Sequence, residues 1–199
     1  MTGPTPARSG SLPPLTRDQL LTWPNLFTLV RLLCIPIFVW LLFGRENRAA
    51  AAWLLGILAS TDWVDGYLAR RLDQRSEFGA LFDPTVDRLL FLVAVPSVLI
   101  DGSIPGWVAW AVLVREVLVA AGALYLGARN VEPFAVTWEG KTGTFLLFFA
   151  VPAFLGANST LSYAPVVEVL AWVATVPGLA YSYYAAFGQY LPQARASLG

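Results

Sequence analysis

Asp62 and Asp65 stand three residues apart, Asp83 and Asp87 four apart, and all four lie inside long apolar stretches. On helices those separations put each pair on one face. A carboxylate at the middle of a bilayer is penalised by a few kcal/mol even on the translocon-insertion scale, so four in neighbouring segments demand compensation. Brought together they repel, and they stay ionised only beside cations. A donor set of oxygens without imidazole or thiolate suits hard divalent ions, Mg²⁺ or Mn²⁺. Two such ions about 4 Å apart can clamp a phosphate on both sides of the bond that is displaced. The chemistry indicated is transfer of a phosphoryl-type group.

The residues around the aspartates fit the same chemistry. Gly66 follows Asp65, Ala69 shares the face of Asp62 and Asp65, and Gly79 precedes Asp83 by one turn. The two glycines lower helix propensity and leave room for a ligand near the backbone. Arg70 offers a cation to a pyrophosphate, and Pro84 is expected in the first turn of its helix, where a missing N–H costs little. Arg31, Arg88, Arg115 and Glu116 also fall in apolar segments. For Arg115 and Glu116 a structural ion pair is an equal alternative. For the aspartates it is the weaker one, because only Arg70, Arg71 and Arg88 stand close in sequence to neutralise them.

Elements that could position these groups are plain in the hydropathy pattern. Of 199 residues 57% are hydrophobic and 13% charged, about half the charge of a soluble domain, and mean hydropathy is +0.61. A spanning helix needs about 20 mostly apolar residues. Six segments qualify, at 26–43, 49–70, 80–100, 105–127, 141–156 and 164–188. The expectation is an all-α integral membrane protein: a flexible tail at 1–20, a six-helix catalytic domain at 21–192 and a short tail at 193–199. Thr16 to Trp23 could form an interfacial helix, and the tail has no apolar core of a signal peptide.

Lys/Arg bias predicts both termini in the cytoplasm, because Arg8, Arg17, Arg70, Arg71, Arg75, Arg129, Lys141 and Arg195 then share one side and only Arg45 and Arg48 the other. Trp107, Trp110, Trp138 and Tyr163 sit near span ends, as interfacial aromatics do. The lack of histidine removes histidine bases and the triads built on them, and most zinc sites. Zero net charge argues against nucleic-acid partners. Cys34 is the single cysteine, so no internal disulfide exists, and it reads as a packing residue.

Written out, the segment is Asp62-x2-Asp65-Gly66-x2-Ala69-Arg70-x8-Gly79-x3-Asp83-x3-Asp87. It resembles the complete motif of the CDP-alcohol phosphotransferase family, matching at every defining position. Pro24-Asn25-x2-Thr28-x2-Arg31, Arg115-Glu116 and Gly140-Lys141 have counterparts there too, and the resemblance runs from about residue 23 to 190. It implies a six-helix membrane fold, a homodimer, and a site facing the cytoplasm, in a bacterial cell membrane. It implies that Asp62, Asp65, Asp83 and Asp87 bind two Mg²⁺ or Mn²⁺ ions and that Asp87 is the general base. Gly66, Ala69, Arg70 and Gly79 would line the cytidine and pyrophosphate pocket, with Arg31, Arg115 and Lys141 as acceptor-side cations. The reaction implied is transfer of a phosphatidyl group from CDP-diacylglycerol to a glycerol-type alcohol with release of CMP, within the class of phosphotransferases for substituted phosphate groups.

The acceptor is less sharply marked. Members that use glycerol-3-phosphate tend to carry another arginine after the Arg-Glu pair and a Gly-Lys-x-Lys-Thr stretch. Here the sequences are Arg115-Glu116-Val-Leu-Val-Ala-Ala-Gly and Gly140-Lys141-Thr142-Gly143-Thr144, without those cations. A dianionic soluble acceptor needs them more than a lipid acceptor does, which favours phosphatidylglycerol as acceptor and cardiolipin as product. The run Ala180-Tyr181-Ser182-Tyr183-Tyr184 resembles cardiolipin synthases of the eukaryotic type, or reads equally as an interfacial aromatic belt. An ion-coupled transporter is the rival from another class, since carboxylates in spans also mark ion pathways.

Overall fold

The computed structural model describes residues 23–72, 77–129 and 137–192, with the side chains of 23–25, 27, 62–72 and 77–84 left outside that description. The expected tails at 1–20 and 193–199 and most of the interfacial segment at 16–23 lie outside the described residues.

Six long helices form among the described residues: α1 (Trp23–Val39), α2 (Arg48–Leu72), α3 (Glu77–Ile100), α4 (Gly106–Ala128), α5 (Trp138–Ala157) and α6 (Ala164–Tyr183). Two run on as wider π-helical turns, α1 through Trp40–Gly44 and α6 through Tyr184–Tyr190. Local chemistry sets several boundaries. The Asn47 side chain accepts the Ala50 N–H at 3.0 Å and starts α2. Thr137 caps α5, its Oγ1 accepting the Gly140 N–H at 3.3 Å. Between α3 and α4, Gly102 adopts φ +79°, a conformation that only glycine takes freely.

Helices α4, α5 and α6 with its π-helical extension are long and apolar enough to cross a membrane; shorter apolar stretches lie at Thr28–Gly44 and Arg48–Thr61. All six expected segments are therefore helical, and three meet the length-and-composition test over their described residues. In α2 the apolar stretch stops at Thr61 because Asp62 follows it. One local expectation is corrected. Helix α3 begins at Glu77 rather than at the apolar residues near 80, so Pro84 lies seven residues in and not in the first turn. There it removes the amide that would bond the Ala80 carbonyl.

The most extensive packing is α5 along α6; α5 also lies against α2, α1 packs on α3 and α2, and α4 touches α3 and α6. Phe38, Leu42, Val95, Val98, Val112, Leu147 and Leu155 are fully buried between them. Phe91 stacks on Phe148 with ring centroids 4.8 Å apart, and Phe154 meets Trp172 edge-on at 5.2 Å. The outside is apolar as well. Val166, Val169, Leu170, Val173 and Val176 form an exposed stripe on α6, a surface suited to lipid rather than water. Trp107, Trp110, Trp138 and Tyr163 are exposed near helix ends, as expected of interfacial anchors. Cys34 packs partly against the core.

At the end where α3 meets α4, a polar clamp joins three connections. The Arg48 Nε donates to both Asp101 oxygens, at 3.1 and 2.9 Å. Ser103 Oγ also donates to Asp101, and the Asn158 amide donates to the Ser103 carbonyl at 2.9 Å. The start of α2, the α3–α4 turn and the end of α5 are thus held together.

Candidate active site

Asp62, Asp65, Gly66, Ala69 and Arg70 lie in the second half of α2; Gly79, Asp83 and Asp87 lie in the first half of α3. Each helix is unbroken through its pair of aspartates, so the three- and four-residue separations are helical separations. Of these eight residues Asp87 alone has a described side chain; the side-chain surroundings of the other seven lie outside the described residues.

Asp87 is one-fifth exposed and forms an ion pair with Arg31, whose Nη1 donates to the Asp87 Oδ1. The Arg31 side chain is 4% exposed, and Thr28, one turn earlier on α1, is equally buried. Arg31 was expected on the acceptor side, and the structure places it against the carboxylate expected to act as base. The cations nearest in sequence, Arg70, Arg71 and Arg88, do not include this partner, because Arg31 lies 56 residues from Asp87. A trace of it exists in the sequence. Arg31 lies eight residues into α1 and Asp87 ten into α3, so opposite charges stand at similar depth on helices that enter from the same side.

A second polar group links α3, α4 and α5. The Arg115 Nη1 donates to Glu116 Oε2 at 2.6 Å, and its Nη2 donates to Thr144 Oγ1 at 2.7 Å. Thr144 in turn donates to the Gly140 carbonyl at 2.9 Å. The Nε of Arg88, half exposed, lies 3.8 Å from the other Glu116 oxygen. Arg115 and Glu116 are both buried, so an ion pair shielded from water sits one helix away from Asp87. The expectation that these two residues could pair structurally matches this geometry. Buried pairs of this kind hold best when hydrogen bonds satisfy the remaining groups; Thr144 does so for the Arg115 Nη2, while the buried Nε has no partner among the described residues. Lys141 is exposed in the first turn of α5.

The tyrosines at the end of α6 divide by direction. Tyr183 turns inward and its hydroxyl donates to the Ala111 carbonyl of α4 at 2.8 Å. Tyr181 and Tyr184 face outward, and Tyr181 meets Trp138 edge-on at 6.1 Å. Tyr190, at the end of the π-helical segment, accepts the Thr137 N–H at 3.1 Å. Neither Tyr190 nor Thr144 was singled out from the sequence, since their roles arise from contacts between distant segments.

Residues 21–177 match the sequence model of the CDP-alcohol phosphatidyltransferase family. The chain belongs to that family. Its relatives cover most of its length. A Mycobacterium tuberculosis protein provisionally named cardiolipin synthase is 34% identical over 182 residues, 91% of this chain and 86% of the relative. The cardiolipin synthase (CMP-forming) of Streptomyces coelicolor is 31% identical over 160 residues, 78% of this chain and 74% of that one. The CDP-diacylglycerol–glycerol-3-phosphate 3-phosphatidyltransferase of Escherichia coli is 35% identical over 185 residues, 88% of this chain and 96% of that one. The family motif of this CDP-alcohol phosphatidyltransferase therefore lies on two consecutive helices, α2 and α3, both packed against α1 or its extension.

Proposed function

We propose that this protein transfers the phosphatidyl group of CDP-diacylglycerol to phosphatidylglycerol, releasing CMP and forming cardiolipin. The observation that carries the reaction is the family motif set on α2 and α3, with its last carboxylate, Asp87, held inside the bundle by Arg31.

In this reading Asp62, Asp65, Asp83 and Asp87 hold two divalent ions. The donor set fits them, because it is all carboxylate and lacks imidazole and thiolate. When bound, Mg²⁺ or Mn²⁺ would neutralise the donor's pyrophosphate and the CMP that departs. The acceptor hydroxyl oxygen attacks the lipid-side phosphorus, and the bond from that phosphorus to the bridging oxygen breaks, so that CMP carries away the oxygen. The hydroxyl proton goes to Asp87 as general base, while Arg31 orients that carboxylate. Gly66, Ala69 and Gly79 leave space for the nucleotide, Arg70 pairs with the pyrophosphate, and Arg115 and Lys141 lie on the acceptor side. The six helices span a bacterial cell membrane, with both termini and the site on the cytoplasmic side, and the protein is a homodimer. Residues 21–192 form the catalytic domain between two short tails.

Phosphatidylglycerol is favoured as acceptor because this chain lacks a second arginine after Glu116 and a second lysine after Lys141. The two cardiolipin synthases among its relatives agree with that choice. Glycerol-3-phosphate, giving phosphatidylglycerophosphate, is the second reading, favoured by the Escherichia coli relative. The deciding assay follows CMP release from CDP-diacylglycerol in detergent with each acceptor, and identifies the lipid formed. Cardiolipin formed with phosphatidylglycerol supports the first reading. Phosphatidylglycerophosphate formed only with glycerol-3-phosphate replaces it with the second. No CMP with either acceptor, together with ion movement in liposomes, would discard both in favour of a transporter.

A further inference from the structure

Glu116 stands between two cations from two helices. Its Oε2 accepts from the Arg115 Nη1 at 2.6 Å, and its Oε1 lies 3.8 Å from the Nε of Arg88 on α3. The first contact is a hydrogen bond; the second is too long for one and acts through charge. Arg88 lies eleven residues after the start of α3 at Glu77, and Glu116 twelve before the end of α4 at Ala128. The cluster is therefore level with Asp87, which precedes Arg88 in the chain. Arg115 and Glu116 are buried, whereas the Arg88 side chain is half exposed. The Arg115 Nε is buried with no partner among the described residues. Two guanidinium groups against one carboxylate leave these three side chains with a single positive charge.

We propose that Glu116 selects the acceptor, by holding the Arg88–Arg115 pair at a net charge that suits a monoanionic phosphodiester and not a dianionic phosphomonoester. The inference rests on the function proposed above and names the residue that decides between its two acceptors. Phosphatidylglycerol and glycerol-3-phosphate both carry a hydroxyl and a phosphate at opposite ends of one glycerol. A site that sets the hydroxyl beside Asp87 therefore puts either phosphate at the same distance, and only charge and acyl chains distinguish the two. A phosphodiester carries one negative charge, a phosphomonoester close to two at neutral pH. One positive charge neutralises the first and leaves the second with an excess charge in a partly dehydrated region, where it is costly. Arg88 is the cation that meets the acceptor phosphate: it adjoins Asp87, is open to water on one side, and is not hydrogen-bonded by Glu116.

The test measures kcat/KM for glycerol-3-phosphate and for phosphatidylglycerol in the same mixed micelles with CDP-diacylglycerol saturating, and reads the ratio of the two. The acyl chains contribute alike in every variant, so they cancel when ratios are compared. Glu116→Gln keeps the side chain's shape and removes its charge. The ratio should rise about tenfold toward glycerol-3-phosphate, the scale of one unit charge acting across a partly hydrated site. Glu116→Asp keeps the charge and should keep the ratio. Arg88→Gln should raise the KM for phosphatidylglycerol by about tenfold on the same grounds, with that for CDP-diacylglycerol unchanged. Combined with Glu116→Gln it should bring the ratio back toward that of the unaltered protein. If Glu116 only keeps Arg115 in place, Glu116→Gln lowers turnover with both acceptors equally and the ratio stays fixed; that result overturns the proposal. A rise as large in Glu116→Asp as in Glu116→Gln overturns it too. Should Glu116→Gln fail to purify as a monodisperse protein, Arg88→Gln decides alone, and an unchanged KM for phosphatidylglycerol is then the refutation. Absence of cardiolipin from the unaltered protein defeats the acceptor reading above instead, and is seen before any variant is compared.

Discussion

Replacing Gly143 by alanine tests the closest helix crossing in the molecule's most extensive interface. A Cβ at Gly143 would lie 2.5 Å from Ser182 Oγ, 2.7 Å from Ser182 N and 2.9 Å from the Gly178 carbonyl oxygen. The hydroxyl could rotate, but the other two atoms are backbone. Ordinary contact begins at 3.4 Å, so α5 and α6 would have to separate by about 0.7 Å, an overpacking that typically costs about 1–3 kcal/mol. Alanine recovers about 1 kcal/mol of helix propensity, leaving a net loss of up to about 2 kcal/mol. For a chain of this size that lowers Tm by up to roughly 8 °C. Gly122→Ala, where a Cβ meets nothing within 4 Å, has only the propensity term and should raise Tm. Thermal unfolding of both variants in the same detergent, followed by loss of the monodisperse peak, makes the comparison. A Gly143→Ala protein as stable as the Gly122→Ala protein would refute the reasoning, because it would show that the two backbones are not in contact.

Three further outcomes are expected. Asp87→Asn should lower CMP release by at least about 10²-fold, the usual contribution of a general base, while the purified protein still binds CDP; retained turnover would remove Asp87 from that role. Glu116→Leu alone leaves Arg115 buried beside no carboxylate and should destabilise by about 3–5 kcal/mol, whereas Arg115→Met with Glu116→Leu should come close to the unaltered protein; equal losses in a denaturant titration would show that the pair is not coupled. Chelation with EDTA should abolish CMP release, with Mg²⁺ or Mn²⁺ restoring it, and activity that survives exhaustive chelation would exclude the two-ion site.

Much of the site was legible because its spacing is local. The motif from Asp62 to Asp87 needs only the helical repeat to be read as two paired faces, and both helices are where the apolar runs placed them. Helix limits were read to within a few residues; at the start of α3 the residues Glu77 to Gly79 extend the helix ahead of the apolar run and leave Pro84 in its interior. Trp107, Trp110, Trp138 and Tyr163 are exposed near helix ends, where the hydropathy pattern put them.

What the sequence determined by itself is thus the set of helices, the apolar exterior and the family motif, each written in residues close together in the chain. Tertiary structure alone decided that Arg31 meets Asp87, that Thr144 bonds one arm of the Arg115 guanidinium, that Gly143 lets α6 approach α5, and that Gly56 leaves a groove beside α2. Each of these depends on how far one helix is rotated and shifted against another. Hydropathy cannot fix that in a membrane protein, because the lipid-facing side and the packed side are equally apolar and only the fit of small and polar side chains tells them apart.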